Sequence, residues 1–261
     1  MRPRPFRPRM TDPNLRHSNM SSLHPVIRRS LPFAAALLLV ACGGNSQRNR
    51  AANNGFVPDS TRLGGWMSLF DGRTLTGWHA YQQPISVTTG WRVEDGTIKT
   101  GGDAKDLVSD LQYSSFELEL EWKVAPGANS GIFYWANEGT AEIYENAPED
   151  QILDNAGFPG TTPLTAAGSL YDLYPAPLTA TKPVGEWNKV RIVVHGAKVQ
   201  QWLNGVKLVE VNFDSREMKD KIAASKFKQW LTFGKSRRGH LGLQSHGGTV
   251  WFRAIRIKDF S

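Results

Sequence analysis

The segment from Phe116 to Lys123 constrains the fold most, because its side chains alternate strictly between apolar and charged. Successive side chains of a β-strand point to opposite faces, so this period of two predicts a strand with one buried face. The predicted buried row is Phe116, Leu118, Leu120 and Trp122. The glutamates at 117, 119 and 121 form the opposite row, which predicts either a solvated outer face or, for Glu121, part of a functional site.

Short strands with frequent turns dominate the rest of the chain. Asp95-Gly96 and Asn204-Gly205 each separate two alternating segments, which is a strong hairpin signal. Residues 215–230 alone have a helical pattern, and they precede the last hairpin as an insertion. Turns every eight to twelve residues predict an all-β domain built as a sandwich or a barrel.

The charge of the chain is concentrated at its N-terminus. The 261 residues carry a net charge of +7, but residues 1–50 hold nine Arg and one Asp, so residues 51–261 have a net charge of −1. The basic balance therefore does not indicate nucleic-acid binding by the folded domain.

The single cysteine lies at the end of an export signal. Arg28-Arg29 precedes the apolar residues 31–41, a run that is too short to span a membrane. Leu39-Val40-Ala41-Cys42 resembles a bacterial lipobox, which predicts lipidation of Cys42; the alternative is a stray cysteine in an ordinary signal peptide. Gly43 after the cysteine favours an outer-membrane location, facing the periplasm or the cell surface. We therefore expect a leader and signal (1–41), a flexible tether (42–63) and a β-domain (64–261).

The last hairpin combines an apolar face with a polar one. Leu241 and Leu243 point one way, whereas Gln244 and His246 point the other way, next to glycines that would let a ligand approach closely. This polar face is a candidate functional surface, and the alternative is an ordinary solvated face.

An ordered set of motifs resembles a known bacterial family. The motifs are Leu69-Phe70-Asp71-Gly72, Gly77-Trp78, residues 91–96, Asn129-Ser130-Gly131-Ile132, residues 149–155, Gly185-Glu186-Trp187-Asn188, Trp202-Leu203-Asn204-Gly205, residues 243–247 and Phe252-Arg253-Ala254-Ile255. In this order they resemble the family named for 3-keto-disaccharide hydrolysis, over about residues 64–260. The resemblance implies a concanavalin-like jelly-roll sandwich of two antiparallel sheets. Ala254, where Asn is usual, and Asp150, where an aromatic is common, depart from the family and are expected to reshape substrate contacts.

The resemblance also implies a reaction. A ketone at carbon 3 of a glycoside acidifies the hydrogen on carbon 2, so a base can remove it and the substituent on carbon 1 leaves by elimination. Water can then add to the 3-keto-2-hydroxyglucal, which makes the net reaction a hydrolysis. Such chemistry needs a base with a pKa near neutrality, donors for the enolate oxygen and an acid for the leaving group.

Strand parity and the family's motif positions predict one site on a concave face. Glu149, His246 and Arg253 are the candidate catalytic residues, with the base being either Glu149 or His246. The candidate substrate contacts are Glu121, Asn129, Tyr134, Gln151, Asp154, Tyr171, Trp202 and Gln244. The alternatives are structural: an Arg253–Glu149 ion pair, a turn-capping His246, Gln244 as a ladder neighbour, Asn129 as a turn residue and Trp202 in the core.

Two questions of function stay open at this point. No spacing of His, Asp and Glu is diagnostic of a metal, although a divalent ion on a Glu/His set is possible. The first functional hypothesis is a surface-tethered enzyme that cleaves 3-keto-glycosides and is functionally linked to a sugar 3-dehydrogenase. The second is a non-catalytic, lectin-like lipoprotein that binds carbohydrate through the same face.

Overall fold

The computed structural model describes residues 65–261; the predicted signal, the tether and Cys42 lie outside these residues. The described chain contains thirteen strands, in chain order β1 Met67–Ser68, β2 Trp78–Ala80, β3 Trp91–Glu94, β4 Thr97–Thr100, β5 Leu107–Tyr113, β6 Phe116–Val124, β7 Asn129–Ala136, β8 Glu149–Leu153, β9 Asn188–His195, β10 Lys198–Leu203, β11 Val206–Asn212, β12 Gly239–Leu243 and β13 Val250–Asp259. The helices are α1 Arg216–Ala224 and two short 3-10 helices, Ile143–Glu145 and Lys226–Gln229.

The strands form two antiparallel sheets. The first, sheet A, has the order β11-β10-β9-β6-β13-β4-β3, and β1 pairs with β13. The second, sheet B, has the order β2-β5-β12-β7-β8. Consecutive strands often lie in different sheets, as in a jelly roll. The predicted all-β jelly-roll sandwich with one short helical insertion is confirmed.

The core lies between the two sheets, and β6 shows how the sequence places it there. Phe116, Leu118, Leu120 and Trp122 are each at most 1% exposed, as the alternation predicts. The glutamates of the same strand point away from the core, on the outward face of sheet A, where they pair with basic residues of β9 and β13. Each sheet therefore has one face in the core and one facing outward.

The outward face of sheet B is partly covered. A second apolar cluster, which includes Tyr81, Val108, Phe133 and Ile143, packs there beneath the segment that joins β7 to β8. The remaining part of this face carries polar side chains and forms a recess.

The helical insertion closes one side of that recess. The Ser215 hydroxyl accepts a hydrogen bond from the Met218 amide and so caps α1, which is the usual role of serine at a helix start. Met218 and Phe227 are buried, and the Phe227 ring stacks on Phe233 at a centroid distance of 3.8 Å. Among residues 65–261, no helix is long and apolar enough to cross a membrane.

Candidate active site

Glu149 occupies the floor of the recess because of its register on β8. It pairs with Phe133 of β7, so its side chain projects from the outward face of sheet B. The neighbouring position on β7 is Gly131, where a Cβ atom would collide with the Glu149 carboxylate. The missing side chain at Gly131 therefore makes the space that the carboxylate fills.

Burial changes the acidity of Glu149. The side chain is 6% exposed, and removal from water raises its pKa to about 8, an effect that the nearby carboxyl groups of Asp106 and Asp150 increase. The cation of Lys226 acts in the opposite direction. A carboxyl group with a pKa close to neutrality is the type of group that exchanges protons with a substrate at physiological pH.

One amide side chain contacts this carboxyl group, and two more lie near it on the same face of sheet B. With its amide oriented so that donors meet acceptors, Gln151 donates to Glu149 Oε1 and to the Ser130 carbonyl, both at 2.9 Å. The Asn129 side chain lies 3.3 Å from the Gln151 amide. The backbone N–H of Gln244 donates to the Gly131 carbonyl at 2.9 Å, which ties the end of β12 to β7 and places the Gln244 residue next to Gly131. The structure thus brings together Glu149, Gln151, Asn129 and Gln244, as predicted.

A cavity of about 250 Å³ opens beside Gln244. Tyr81, Asp106, Tyr144 and His246 contribute to its lining. His246 lies on the exposed turn after β12, so it borders the recess rather than its floor. The predicted placement of His246 and Gln244 on the same side of the molecule as Glu149 therefore agrees with the geometry.

Asp106 is a member of the recess that the sequence analysis misses. Burial raises its pKa to about 7, whereas the hydrogen bond from the Ser245 amide, 2.8 Å long, acts in the opposite direction. In the sequence, Asp106 stands between Lys105 and the apolar start of β5, where it resembles an ordinary surface carboxylate. Only the return of β12 beside β5 shows that it faces the site.

Lys226 is the second residue missed by the sequence analysis. Its ammonium nitrogen lies 4.2 Å from the centre of the Tyr171 ring, and its backbone N–H donates to Asp172 at 3.2 Å. Burial lowers the pKa of Lys226, while the negative charges of Glu149 and Asp172 oppose that shift. A lysine in a polar helical insertion carries no sequence signal of a site. Its role follows from where the insertion packs, and Tyr171, a predicted substrate contact, lies beside it.

Arg253, Glu121 and Trp202 do not reach the recess. Arg253 donates to Glu121 at 2.7 Å and stacks on Trp187 at 3.9 Å, while the Trp202 ring lies under the Arg191 guanidinium at 4.3 Å. All three belong to sheet A and point outward from it, on the side of the sandwich opposite Glu149. The prediction that they converge with Glu149 is wrong, and so is the alternative Arg253–Glu149 ion pair. Parity correctly placed these side chains away from the core, but a sandwich has two outward faces.

Tyr134 and Asp154 also have structural positions. Tyr134 is fully buried on the core face of β7, with its ring 5.3 Å from that of Trp135, so its prediction as a substrate contact is wrong. The Asp154 carboxylate accepts backbone hydrogen bonds from Gly127 at 2.8 Å and Gly157 at 3.0 Å. Asp154 therefore organises the loops at the end of β8 and has little capacity left for a sugar.

The side chains of the two departures from the family pattern do not point into the recess. Ala254 forms a bulge in β13 with a φ of +51° and is exposed on the side of sheet A. Asp150 is 1% exposed on the core side of β8, and its Oδ1 atom has no hydrogen-bond partner among residues 65–261. Neither side chain therefore contacts the recess directly, and their effect on substrate contacts stays a prediction.

The donor set of the recess does not define a metal site. Within residues 65–261, no three His, Cys, Asp or Glu side chains are grouped in a way that could hold a metal ion. The groups that face the recess are instead carboxyl, amide, phenol, imidazole and ammonium groups. They can accept, donate and transfer protons.

Together, the fold and the recess define a jelly-roll β-sandwich domain with a polar candidate site on the outward face of one sheet. Residues 65–258 match the family described as the 3-keto-alpha-glucoside-1,2-lyase-like domain, and the chain belongs to this family. A Bacteroides thetaiotaomicron protein named 3-keto-disaccharide hydrolase is 37% identical over 276 aligned positions, which cover 86% of this chain and 95% of that relative.

Solved structures show the same fold. A crystal structure from Parabacteroides distasonis, described provisionally as a glycosyl hydrolase, has a TM-score of 0.72 and 31% identity, and the match covers 76% of this chain and 94% of that one. A second structure from the same organism, with the same provisional description, has a TM-score of 0.61 and 26% identity over 75% of this chain and 100% of that one.

Proposed function

We propose that this protein cleaves 3-keto-glycosides by removing the proton from carbon 2 and eliminating the substituent on carbon 1, with or without subsequent hydration. One observation carries the proposal: Glu149 is a buried carboxyl group with a pKa of about 8 on the floor of a polar recess, close to the cation of Lys226. Membership of the family and the name of the relative from B. thetaiotaomicron support the substrate class.

Glu149 acts as the base in this proposal. Its carboxylate takes the proton from carbon 2, and the electron pair of the broken C–H bond forms an enolate with the carbon 3 carbonyl. When the enolate collapses, a double bond forms between carbons 1 and 2, and the glycosidic bond to the leaving oxygen breaks. A carboxylate whose conjugate acid has a pKa near 8 is a stronger base than an ordinary glutamate, so it suits a weakly acidic C–H bond.

The remaining groups have matching tasks. The Lys226 ammonium stabilises negative charge at the recess, on the Glu149 carboxylate before proton transfer and on the enolate oxygen after it. His246, at the edge of the recess, donates the proton that the leaving oxygen needs, or positions the water that adds to the double bond. The amides of Gln244, Gln151 and Asn129 bind sugar hydroxyl groups, since an amide offers both donors and an acceptor.

The 3-keto substrate must itself be produced by oxidation of a glycoside at carbon 3. A sugar 3-dehydrogenase is the class of enzyme that supplies this ketone, so we propose a functional link to such an enzyme. We also propose that the protein acts as an exported lipoprotein, anchored through Cys42 to a bacterial outer membrane.

The test is turnover of a panel of 3-keto-glucosides by the full chain, with and without a chelator, and by the Glu149→Gln variant. Loss of a general base typically lowers the rate by about 10²–10⁴-fold. Glu121→Gln is the matched control, because it makes the same change on the opposite face of the sandwich and should leave turnover unchanged. Arg253→Lys should also retain turnover.

Three results would contradict the proposal. Turnover by Glu149→Gln at the rate of the unmodified protein would remove this residue from the mechanism. Complete loss of turnover in the presence of the chelator would indicate that the reaction requires a bound metal ion. Saturable binding of a 3-keto-glucoside without any product would indicate a carbohydrate-binding lipoprotein.

A further inference from the structure

The outward face of sheet A carries a cluster of basic and aromatic side chains. Five cations project from β9 and β13, namely Lys189, Arg191, Arg253, Arg256 and Lys258, and we call this surface the basic face. Beneath them, β6 contributes three glutamates, Glu117, Glu119 and Glu121. These eight side chains have a net charge of +2, and Lys123 of β6 adds a further cation beside them, although residues 51–261 have a net charge of −1.

The cations form the outer layer of this surface. The glutamate side chains are 12–30% exposed, whereas those of the five cations are 29–53% exposed. A partner that approaches the basic face therefore meets ammonium and guanidinium groups before it meets carboxylates. Because surface charges attract within about a Debye length, roughly 8–10 Å at physiological salt, the exposed cations dominate the attraction of an anionic partner.

Four half-buried tryptophan rings lie among the cations. Arg256 lies 4.3 Å from the Trp66 ring, Arg253 3.9 Å from Trp187, Arg191 4.3 Å from Trp202 and Lys123 4.8 Å from Trp251. Each tryptophan thus has a cation over its ring, so that ring face is not free to stack on a sugar. Tryptophan combined with lysine and arginine is instead the composition typical of protein surfaces at a membrane interface.

We propose that the basic face docks on the surface of an anionic lipid bilayer. The face extends across neighbouring strands of one sheet, which suits a flat partner, and its charge is complementary to anionic headgroups. The first described strand, β1, joins sheet A, and Trp66 just before it packs on this face. The candidate active site lies on the opposite side of the sandwich, so docking in this orientation leaves the recess open to substrate.

Vesicle sedimentation of the full chain tests the proposal. The protein carries Cys42→Ala to prevent lipidation, and the vesicles contain either equal parts of phosphatidylcholine and phosphatidylglycerol or phosphatidylcholine alone. A basic residue near an anionic bilayer strengthens binding about fivefold. Lys189→Gln combined with Lys258→Gln should therefore weaken binding to the anionic vesicles by at least tenfold. Each of these lysines is the second cation on a glutamate that keeps an arginine partner, so the fold should survive.

The matched control is Arg216→Gln combined with Lys219→Gln, which removes two exposed cations from α1. This variant should bind anionic vesicles as the Cys42→Ala protein does, and all three proteins should turn over substrate equally. Equal binding by both double variants would overturn the proposal, because the arginine-rich N-terminal segment or net charge alone would then explain the attraction. Absence of vesicle binding together with binding to polygalacturonate would also overturn it, in favour of an acidic polysaccharide.

Discussion

At the scale of single residues, the pKa of Glu149 predicts how activity depends on pH. A base must be ionised, and the pKa of this carboxyl group is about 8, so most Glu149 side chains are protonated at pH 7. We expect kcat/KM to rise between about pH 7 and pH 8 and to level off at higher pH. A pH–rate profile of the unmodified protein measures this rise. Glu121→Gln is the control, and its kcat/KM should rise over the same pH range. If kcat/KM instead falls near pH 8 as the pH increases, Glu149 works as an acid.

Asp150 has a separate effect, on stability. Burial raises its pKa well above the usual value, so the folded protein holds a proton that the unfolded chain releases above about pH 4. The folded state therefore binds more protons, and stability falls as the pH rises, with a limiting slope of about 1.4 kcal/mol per pH unit for one group. Asp150→Asn removes this group and keeps the shape of the side chain.

For Asp150→Asn we expect a free energy of unfolding close to that of the unmodified protein near pH 4 and higher than it at pH 7. Urea unfolding at both pH values measures the difference between the two proteins. A difference that stays constant between the two pH values would contradict this account of Asp150.

The backbone conformation of Ala254 offers a second way to raise the free energy of unfolding. Its φ of +51° lies in the left-handed region, which costs an L-residue roughly 1–2 kcal/mol, whereas asparagine adopts it more readily. Because Ala254 is exposed, Ala254→Asn should raise the free energy of unfolding by about 1 kcal/mol or somewhat less. Thermal and urea unfolding measure this, and Ala254→Val, a β-branched residue at the same φ, should lower stability. If asparagine and valine have the same effect, backbone strain at the bulge is not the cause.

At the scale of elements, the buried side chains of β6 contribute to the free energy of unfolding. Leu120 is 1% exposed between the sheets, and replacing a buried leucine by alanine typically costs about 2–5 kcal/mol. Leu120→Ala should therefore lower the free energy of unfolding by that amount in urea titration. Leu111 is 51% exposed on β5, so Leu111→Ala is the matched control and should change stability far less. Similar losses in both variants would show that burial of the β6 row does not determine the cost.

The elements also show what could be predicted from the sequence. Alternation identified the buried row of β6, and turn residues identified the hairpins, because both signals are local. Alternation separates core from outward side chains, but it does not tell which sheet a strand joins. For that reason the pattern predicts correctly that Glu149 and Gln244 share a face. It also predicts that Arg253 and Glu121 share this face, whereas they lie on the outward face of the other sheet. Lys226 and Asp106 carry no local signal, because only the long-range packing of the helical insertion and of β12 gives them a role.

At the scale of the whole molecule, the attachment of the chain to a membrane remains a prediction. The lipobox-like Leu39-Val40-Ala41-Cys42 predicts that Cys42→Ala will release the protein from the membrane fraction or leave it unprocessed. Cell fractionation and the mass of the processed protein measure this outcome. Ser46→Ala, a change in the same segment outside the motif, should leave both unchanged. A Cys42→Ala protein that is processed and retained like the unmodified one would refute lipidation at this residue.

The positions of the last two strands have a consequence for how the molecule is made. β12 lies between β5 and β7 in the middle of sheet B, and β13 lies between β6 and β4 inside sheet A. A chain synthesised from its N-terminus lacks a central strand of both sheets until residues 239–259 emerge, so the sandwich cannot be completed before that point. Pairings between such distant segments form slowly, in milliseconds to seconds for β-proteins. We therefore expect the growing chain to stay unfolded until these two strands have been made, and a product that ends before residue 239 to be degraded by proteases.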